Sequence, residues 1–178
     1  MANLRMKKYE KQIADVIDMT NQLESEMADL LSQCLIPVIS DYGFLREAVF
    51  HNTCVHFGAK VKLLKRITEY WSFKGLNFKW FYILLDLRNA FAHTPTTKRM
   101  VQIWFDDKDS AGRLLGSEMI VDKKSGSSWQ NQIRNEAFKD FVEAYNSCRG
   151  ILVIIDNKIK QTIAQHSPPD GRGAAPRR

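Results

Sequence analysis

One apolar segment limits the folds open to this chain. Between Phe78 and Phe91 the sequence is so rich in Trp, Phe, Tyr and Leu that a helix there must be buried over most of its circumference. Asn77 precedes the segment, and Thr94-Pro95 closes it, because the residue before a proline is pushed away from helical angles. The segment therefore predicts a helix at the core of the fold.

Three other stretches have helical periodicity. Apolar residues recur at spacings of three and four over about residues 4–35, which predicts a long amphipathic helix ended by Pro37 and a loop at Asp41-Tyr42-Gly43. A second helix is predicted from the mid-fifties to about Tyr70. A final helical region is predicted over about residues 130–165, and Gly150 is expected to bend or split it. The fold class is mainly all-α.

A β-hairpin is expected before the last helix, as an insertion at about residues 99–123. Its strands are predicted at Met100 to Asp107 and at Glu118 to Asp122, followed by a polar loop over residues 123–128. The helical domain is expected to cover residues 1–166. Residues 167–178 lack apolar content and are expected to be disordered.

Composition and charge narrow the class of protein. The chain has 178 residues, enough for one domain with its own core, and its three widely spaced cysteines suggest neither a disulfide framework nor a zinc site. No secretory signal is visible and no apolar run approaches the roughly 20 residues of a membrane span, so a cytoplasmic location without a membrane partner is expected. The net charge of +6 includes a surplus of +4 over residues 36–94, whereas residues 1–35 carry −2. A local basic surplus suits an acidic partner such as nucleic acid.

The best candidate site is the run from Leu87 to His93. Arg88 could clamp a phosphate, His93 could move protons near neutral pH, and Asn89 could orient either group. On a regular helix Asn89 and His93 lie about 40° apart, whereas Arg88 and His93 lie about 140° apart. Arg88 must therefore reach around, or the helix must unwind near His93. The structural alternative is that Arg88 pairs with Asp86 or Glu69 and that His93 only caps the helix.

The run Leu-Arg-Asn-Ala-Phe-Ala-His, with a long helix and the basic segment Phe57 to Leu64 before it and a further long helix after it, resembles a HEPN domain. Within that superfamily it is similar to the branch that contains the mannitol operon repressor proteins. The resemblance covers most of residues 5–165 and implies an up-and-down helical bundle that commonly forms a homodimer.

In active HEPN members the matching Arg, polar residue and His form a metal-independent endoribonuclease site. The resemblance therefore implies that Arg88, Asn89 and His93 are catalytic, that no cofactor or metal is needed, and that two motifs meet across a dimer. A toxin or phage-defence effector with an antitoxin or regulatory protein partner is one expectation. The alternative is a catalytically silent module that binds RNA or protein and regulates transcription. RNA contacts are predicted for six cations: Lys60, Lys62, Lys65, Arg66, Lys98 and Arg99. For the four cations of the second helix, an equal alternative is that they only form a solvent-exposed face without an RNA contact.

Overall fold

The computed structural model describes residues 2–35, 42–50, 55–93, 101–105, 114–125 and 128–166. Four α-helices dominate it: α1 (Ala2–Leu35), α2 (Phe57–Tyr70), α3 (Lys79–His93) and α4 (Arg134–His166). The chain is mainly α-helical and forms a helical bundle, as its periodicity predicts. Lys98, Arg99 and the predicted tail at residues 167–178 lie outside the described residues.

Side-chain contacts fix the directions of the long helices. Gln12 donates a hydrogen bond to Asn135, Gln22 accepts one from Tyr145, and Glu26 pairs with Arg149. In each of these three pairs the residue of α4 comes 123 positions after that of α1. A constant offset means that α1 and α4 run side by side in the same direction.

Helix α3 runs the opposite way to α4. The carbonyl of Lys74, just before α3, accepts a bond from Lys158 near the end of α4, while Phe91 near the end of α3 meets Phe138 near the start of α4 at 6.2 Å between ring centroids. Helix α3 therefore runs opposite to both α1 and α4, which are parallel to each other.

The apolar segment of the sequence forms the centre of the bundle. Phe81, Leu84 and Leu87 of α3 are fully buried, and over residues 79–92 the side chains classed as exposed are those of Lys79, Tyr82, Asp86 and Ala92. Helix α2 is buried on one side only, and its inward face contains Val61, Leu64, Ile67 and Thr68. Burial of this apolar surface is the main term that holds the helices together.

A buried arginine anchors the start of α4. The Arg134 side chain is 1% exposed and its guanidinium carbon lies 4.9 Å from the centre of the Phe91 ring and 5.4 Å from that of Tyr9. Its Nη2 donates to the Tyr9 carbonyl oxygen at 3.3 Å, and burial lowers the pKa of the guanidinium. Arg134 thus ties the first residue of α4 to α1 and α3 through cation–π contacts.

The predicted hairpin is a three-stranded antiparallel sheet, with strands β1 (Val101–Phe105), β2 (Leu114–Ser125) and β3 (Ser128–Ile133) in the order β1-β2-β3. The expected polar loop over residues 123–128 is wrong in its bounds, because β2 continues to Ser125. Strand β2 pairs with β3 from Ser125 opposite Ser128 to Ile120 opposite Ile133. Strand β3 also occupies the predicted first turn of the last helix, which begins at Arg134. Pairing with β2 overrides the weak helical pattern at residues 130–133.

Two local expectations also differ from the structure. Tyr42 and Gly43, predicted as loop, lead directly into a short π-helix at Phe44–Val49, which is held against α1 by Arg46 and Tyr42 through the Asp29 carboxylate. Gly150 does not split α4, which is continuous from Arg134 to His166. Its position is exposed, and a Cβ built there would meet nothing within 4 Å.

Candidate active site

Arg88 and Asn89 lie together in a cleft of about 410 Å³ formed by α1, α2 and α3. Both side chains are half-buried, and Arg88 Nη1 donates to Asn89 Oδ1 at 3.2 Å. Three helices contribute the walls, whose remaining residues are Thr20, Asn21, Glu24, His56, Phe57, Gly58 and Leu85. A guanidinium and an amide are therefore presented together at a partly enclosed surface, where their interactions with an anion are screened less than in open water.

The structural alternative for Arg88 is not what the described residues show. Glu69, one of the two carboxylates considered as its partner, pairs instead with Lys65 at 3.9 Å and with Arg66 at 3.2 Å. The side chain of Asp86 is exposed, and among the described residues no ion pair joins it to Arg88. Arg88 is directed to Asn89 and to the cleft.

His93 is described only through its backbone. Helix α3 remains helical through position 93, so the unwinding considered as one way to bring Arg88 and His93 together does not occur before that residue. Position 93 lies one turn beyond Asn89 and about 40° around the helix. The side chain of His93 lies outside the described part of the structure.

Lys60 does not belong to a solvent-facing basic surface. Its side chain is 0% exposed, and its Nζ lies 3.0 Å from Glu24 Oε1. Direct contact with an RNA backbone would require the ammonium group to leave this pair and cross the protein surface. The prediction that Lys60 binds RNA is therefore wrong for this structure, because the residue is used inside the bundle to compensate a carboxylate of the cleft wall.

The other predicted cations of α2 are placed as expected for a basic helix face. Lys62, Lys65 and Arg66 are exposed on one side of the helix, and Lys65 and Arg66 share that side with Glu69. Exposed pairs of this kind hold their partners weakly, so the cations remain able to approach a phosphate backbone.

His56 is the site residue that the sequence reasoning missed. The sequence analysis places Arg88, Asn89 and His93 in the candidate site and does not include His56. One local signal was available: His56 directly precedes the helix that begins at Phe57, and the N-terminus of a helix favours anions such as phosphate. The structure brings His56 into the cleft that contains Arg88 and Asn89.

A second cleft, of about 580 Å³ between α1 and α4, contains none of these residues. Its charged lining consists of Lys8, Lys11, Lys139 and Asp15. Within the described part of the chain, no cluster of three or more His, Cys, Asp or Glu side chains is arranged to hold a metal ion. No described helix is both long and apolar enough to cross a membrane.

Comparison with protein-family models, curated proteins and solved structures gave no match to this chain. The resemblance of the motif at residues 88–93 to a HEPN domain stays a prediction from the sequence.

Proposed function

We propose that this protein is a HEPN-type endoribonuclease that cleaves RNA without a metal ion. The observation that carries the proposal is the presence of Arg88 and Asn89 side by side in one cleft, on a helix that continues regularly to His93. An arginine suits a phosphate because its planar fork donates two hydrogen bonds to two oxygens.

The proposed reaction is attack of a ribose 2′-hydroxyl on the adjacent phosphorus. The 2′-oxygen forms a bond to phosphorus while the bond to the 5′-oxygen of the next nucleotide breaks, which leaves a 2′,3′-cyclic phosphate and a 5′-hydroxyl. Arg88 stabilises the charge that develops on the phosphate oxygens, Asn89 orients Arg88 or the RNA, and His93 transfers a proton.

Glu24 would oppose an anion in this cleft if its charge were not compensated. The Glu24 side chain is 9% exposed at the wall, and the buried Lys60 Nζ lies 3.0 Å from its Oε1. The pair is neutral as a unit, so Arg88 supplies the net positive charge of the cleft lining. This arrangement supports phosphate binding even though Lys60 itself is not exposed.

A homodimer is part of the proposal, because a composite site would place two copies of the motif in one cleft. Lys62, Lys65 and Arg66 would then guide the RNA backbone through salt-sensitive contacts. An enzyme of this type would act as a toxin or a defence effector, held in check by an antitoxin or another regulatory protein. Sedimentation of the purified protein tests the homodimer. A growth assay that compares expression of the wild type with expression of His93→Ala tests the toxin or defence role.

The central experiment incubates the purified protein with mixed RNA in EDTA. Wild type is expected to produce 2′,3′-cyclic phosphate ends, and Arg88→Ala and His93→Ala are each expected to lower the rate by about 100-fold or more. Lys160→Ala is the control for loss of one positive charge, because Lys160 is 65% exposed on α4 and outside the cleft lining. Intact RNA with the wild type, or equal cleavage by all variants, would leave the regulatory binding module as the better explanation.

A further inference from the structure

RNA transesterification needs two proton transfers, so a site with one histidine lacks a second proton-transfer group. A group must accept the proton of the attacking 2′-hydroxyl, and another must donate a proton to the departing 5′-oxygen. The motif on α3 provides only His93. The cleft around Arg88 and Asn89 contains a second imidazole, that of His56, from a different element of the same chain.

The backbone holds His56 in a defined place. The residue is the N-cap of α2, with φ −67° and ψ 160°, and its carbonyl oxygen accepts bonds from Ala59 N at 2.9 Å and from Lys60 N at 3.1 Å. The His56 side chain makes no capping hydrogen bond to the helix that it precedes. The carbonyl thus fixes the start of α2, while the exposed imidazole is not engaged in capping.

The His56 ring lies beside Gly58. A Cβ built at Gly58 would be 3.8 Å from His56 Cδ2, 3.9 Å from His56 Nε2 and 3.9 Å from a Leu85 methyl group. The imidazole therefore lies beside the position that a Gly58 side chain would occupy, and it lines one cleft with Leu85, Arg88 and Asn89 of α3. The charged groups that line the cleft around it are Glu24 from α1 and Arg88 from α3, with Lys60 of α2 behind Glu24.

We propose that His56 is a second proton-transfer residue of this cleft, acting on the same phosphodiester as Arg88. The assignment rests on the proposed ribonuclease function and adds to it. One of His56 and His93 takes the 2′-hydroxyl proton as the 2′-oxygen bonds to phosphorus, and the other gives a proton to the 5′-oxygen as its bond to phosphorus breaks. A single chain then provides the base, the acid and the phosphate clamp, and the partner of a dimer need not supply the second imidazole.

The experiment compares His56→Asn with the wild type in EDTA, using a short RNA with one scissile bond. Asparagine is a strong N-cap residue, so this variant keeps the start of α2 while it removes the titrating group. The expected result is a loss of kcat of about 100-fold or more and the disappearance of one limb of the pH–rate profile. In His56→Ala, added imidazole is expected to restore part of the rate. Asn21→Ala is the control, because Asn21 lines the same cleft without a titrating group, and it is expected to keep both limbs.

The outcomes separate the two proposals. A wild-type protein that leaves RNA intact overturns both. If the wild type cuts, His93→Ala is inactive, and His56→Asn cuts at the wild-type rate with both limbs, the ribonuclease stands and the assignment of His56 is wrong. A slow His56→Asn variant that keeps both limbs, together with a His56→Ala variant that imidazole does not rescue, also overturns proton transfer and leaves His56 a structural role.

Discussion

Replacement of Lys60 by methionine tests the buried ion pair on which the cleft depends. The change keeps most of the apolar stem of the side chain but removes the ammonium, which lies 3.0 Å from Glu24 Oε1. The Lys60 side chain is 0% exposed and that of Glu24 is 9% exposed, so Lys60→Met leaves a nearly buried carboxylate without this partner.

Loss of one member of a buried pair typically costs about 3–5 kcal/mol, because the remaining charge stays desolvated. Glu24 lies at a cleft wall, where water can approach its carboxylate, so the lower figure of about 3 kcal/mol is expected for Lys60→Met. The double variant Lys60→Met/Glu24→Met removes both charges and is expected to lie within about 1 kcal/mol of the wild type. The difference between single and double variants is therefore the signature of the pair.

Urea denaturation followed by far-ultraviolet circular dichroism measures both effects. With a slope near 3 kcal/mol per molar, a loss of about 3 kcal/mol lowers the midpoint by about 1 M, and the thermal midpoint falls by about 6–12 °C. The matched control is Lys62→Met, which removes a positive charge from an exposed position of the same helix. A single variant as stable as this control, or a double variant as unstable as the single one, would refute the assigned role of the pair.

Two further predictions concern stability. Gly150→Ala is expected to raise the free energy of unfolding by about 0.5–1 kcal/mol, because the added Cβ meets nothing within 4 Å and alanine favours a helix interior, and thermal denaturation checks this. Burial raises the pKa of Cys34 and of Cys148 to about 12, so unfolded thiols ionise near pH 9 while the folded ones stay protonated. The free energy of unfolding should therefore fall as pH rises from about 9 towards 12. Urea midpoints of the wild type and of Cys148→Ala at pH 8, 9 and 10 measure this fall. Parallel pH profiles for the two proteins would contradict the prediction for Cys148.

The helices could be predicted from the sequence because their signal is local. In α2, the spacing of Val61, Leu64 and Thr68 fixes which side is buried, and the structure confirms it. The aromatic and aliphatic richness of α3 likewise indicates a helix buried on most sides. Both inferences need only the residues of one element and its 3.6-residue period.

Features that depend on a distant partner could not be predicted in the same way. Lys60 has the same charge as its exposed neighbours, and its burial beside Glu24, 36 residues earlier, could not be predicted from the spacing within α2. Strand β3 is a polar six-residue segment whose conformation is set by its pairing with β2. His56 joins Arg88 only because α2 and α3 pack together, so no spacing along the chain could reveal the cleft that they share.

The position of Lys60 changes how the basic surplus of residues 36–94 should be interpreted. That surplus predicts a cationic surface beside the motif. One of its positive charges, that of Lys60, is instead buried inside the bundle, where it pairs with Glu24. Without Lys60, a carboxylate in the cleft wall would repel a phosphate held by Arg88, and in a partly desolvated cleft such repulsion is stronger than in bulk water. Under the proposed function, Lys60 would therefore favour RNA binding without contacting the RNA. On this argument, the Lys60→Met/Glu24→Met protein should retain RNA binding that Lys60→Met alone loses, since what the cleft requires is a compensated carboxylate rather than an exposed lysine.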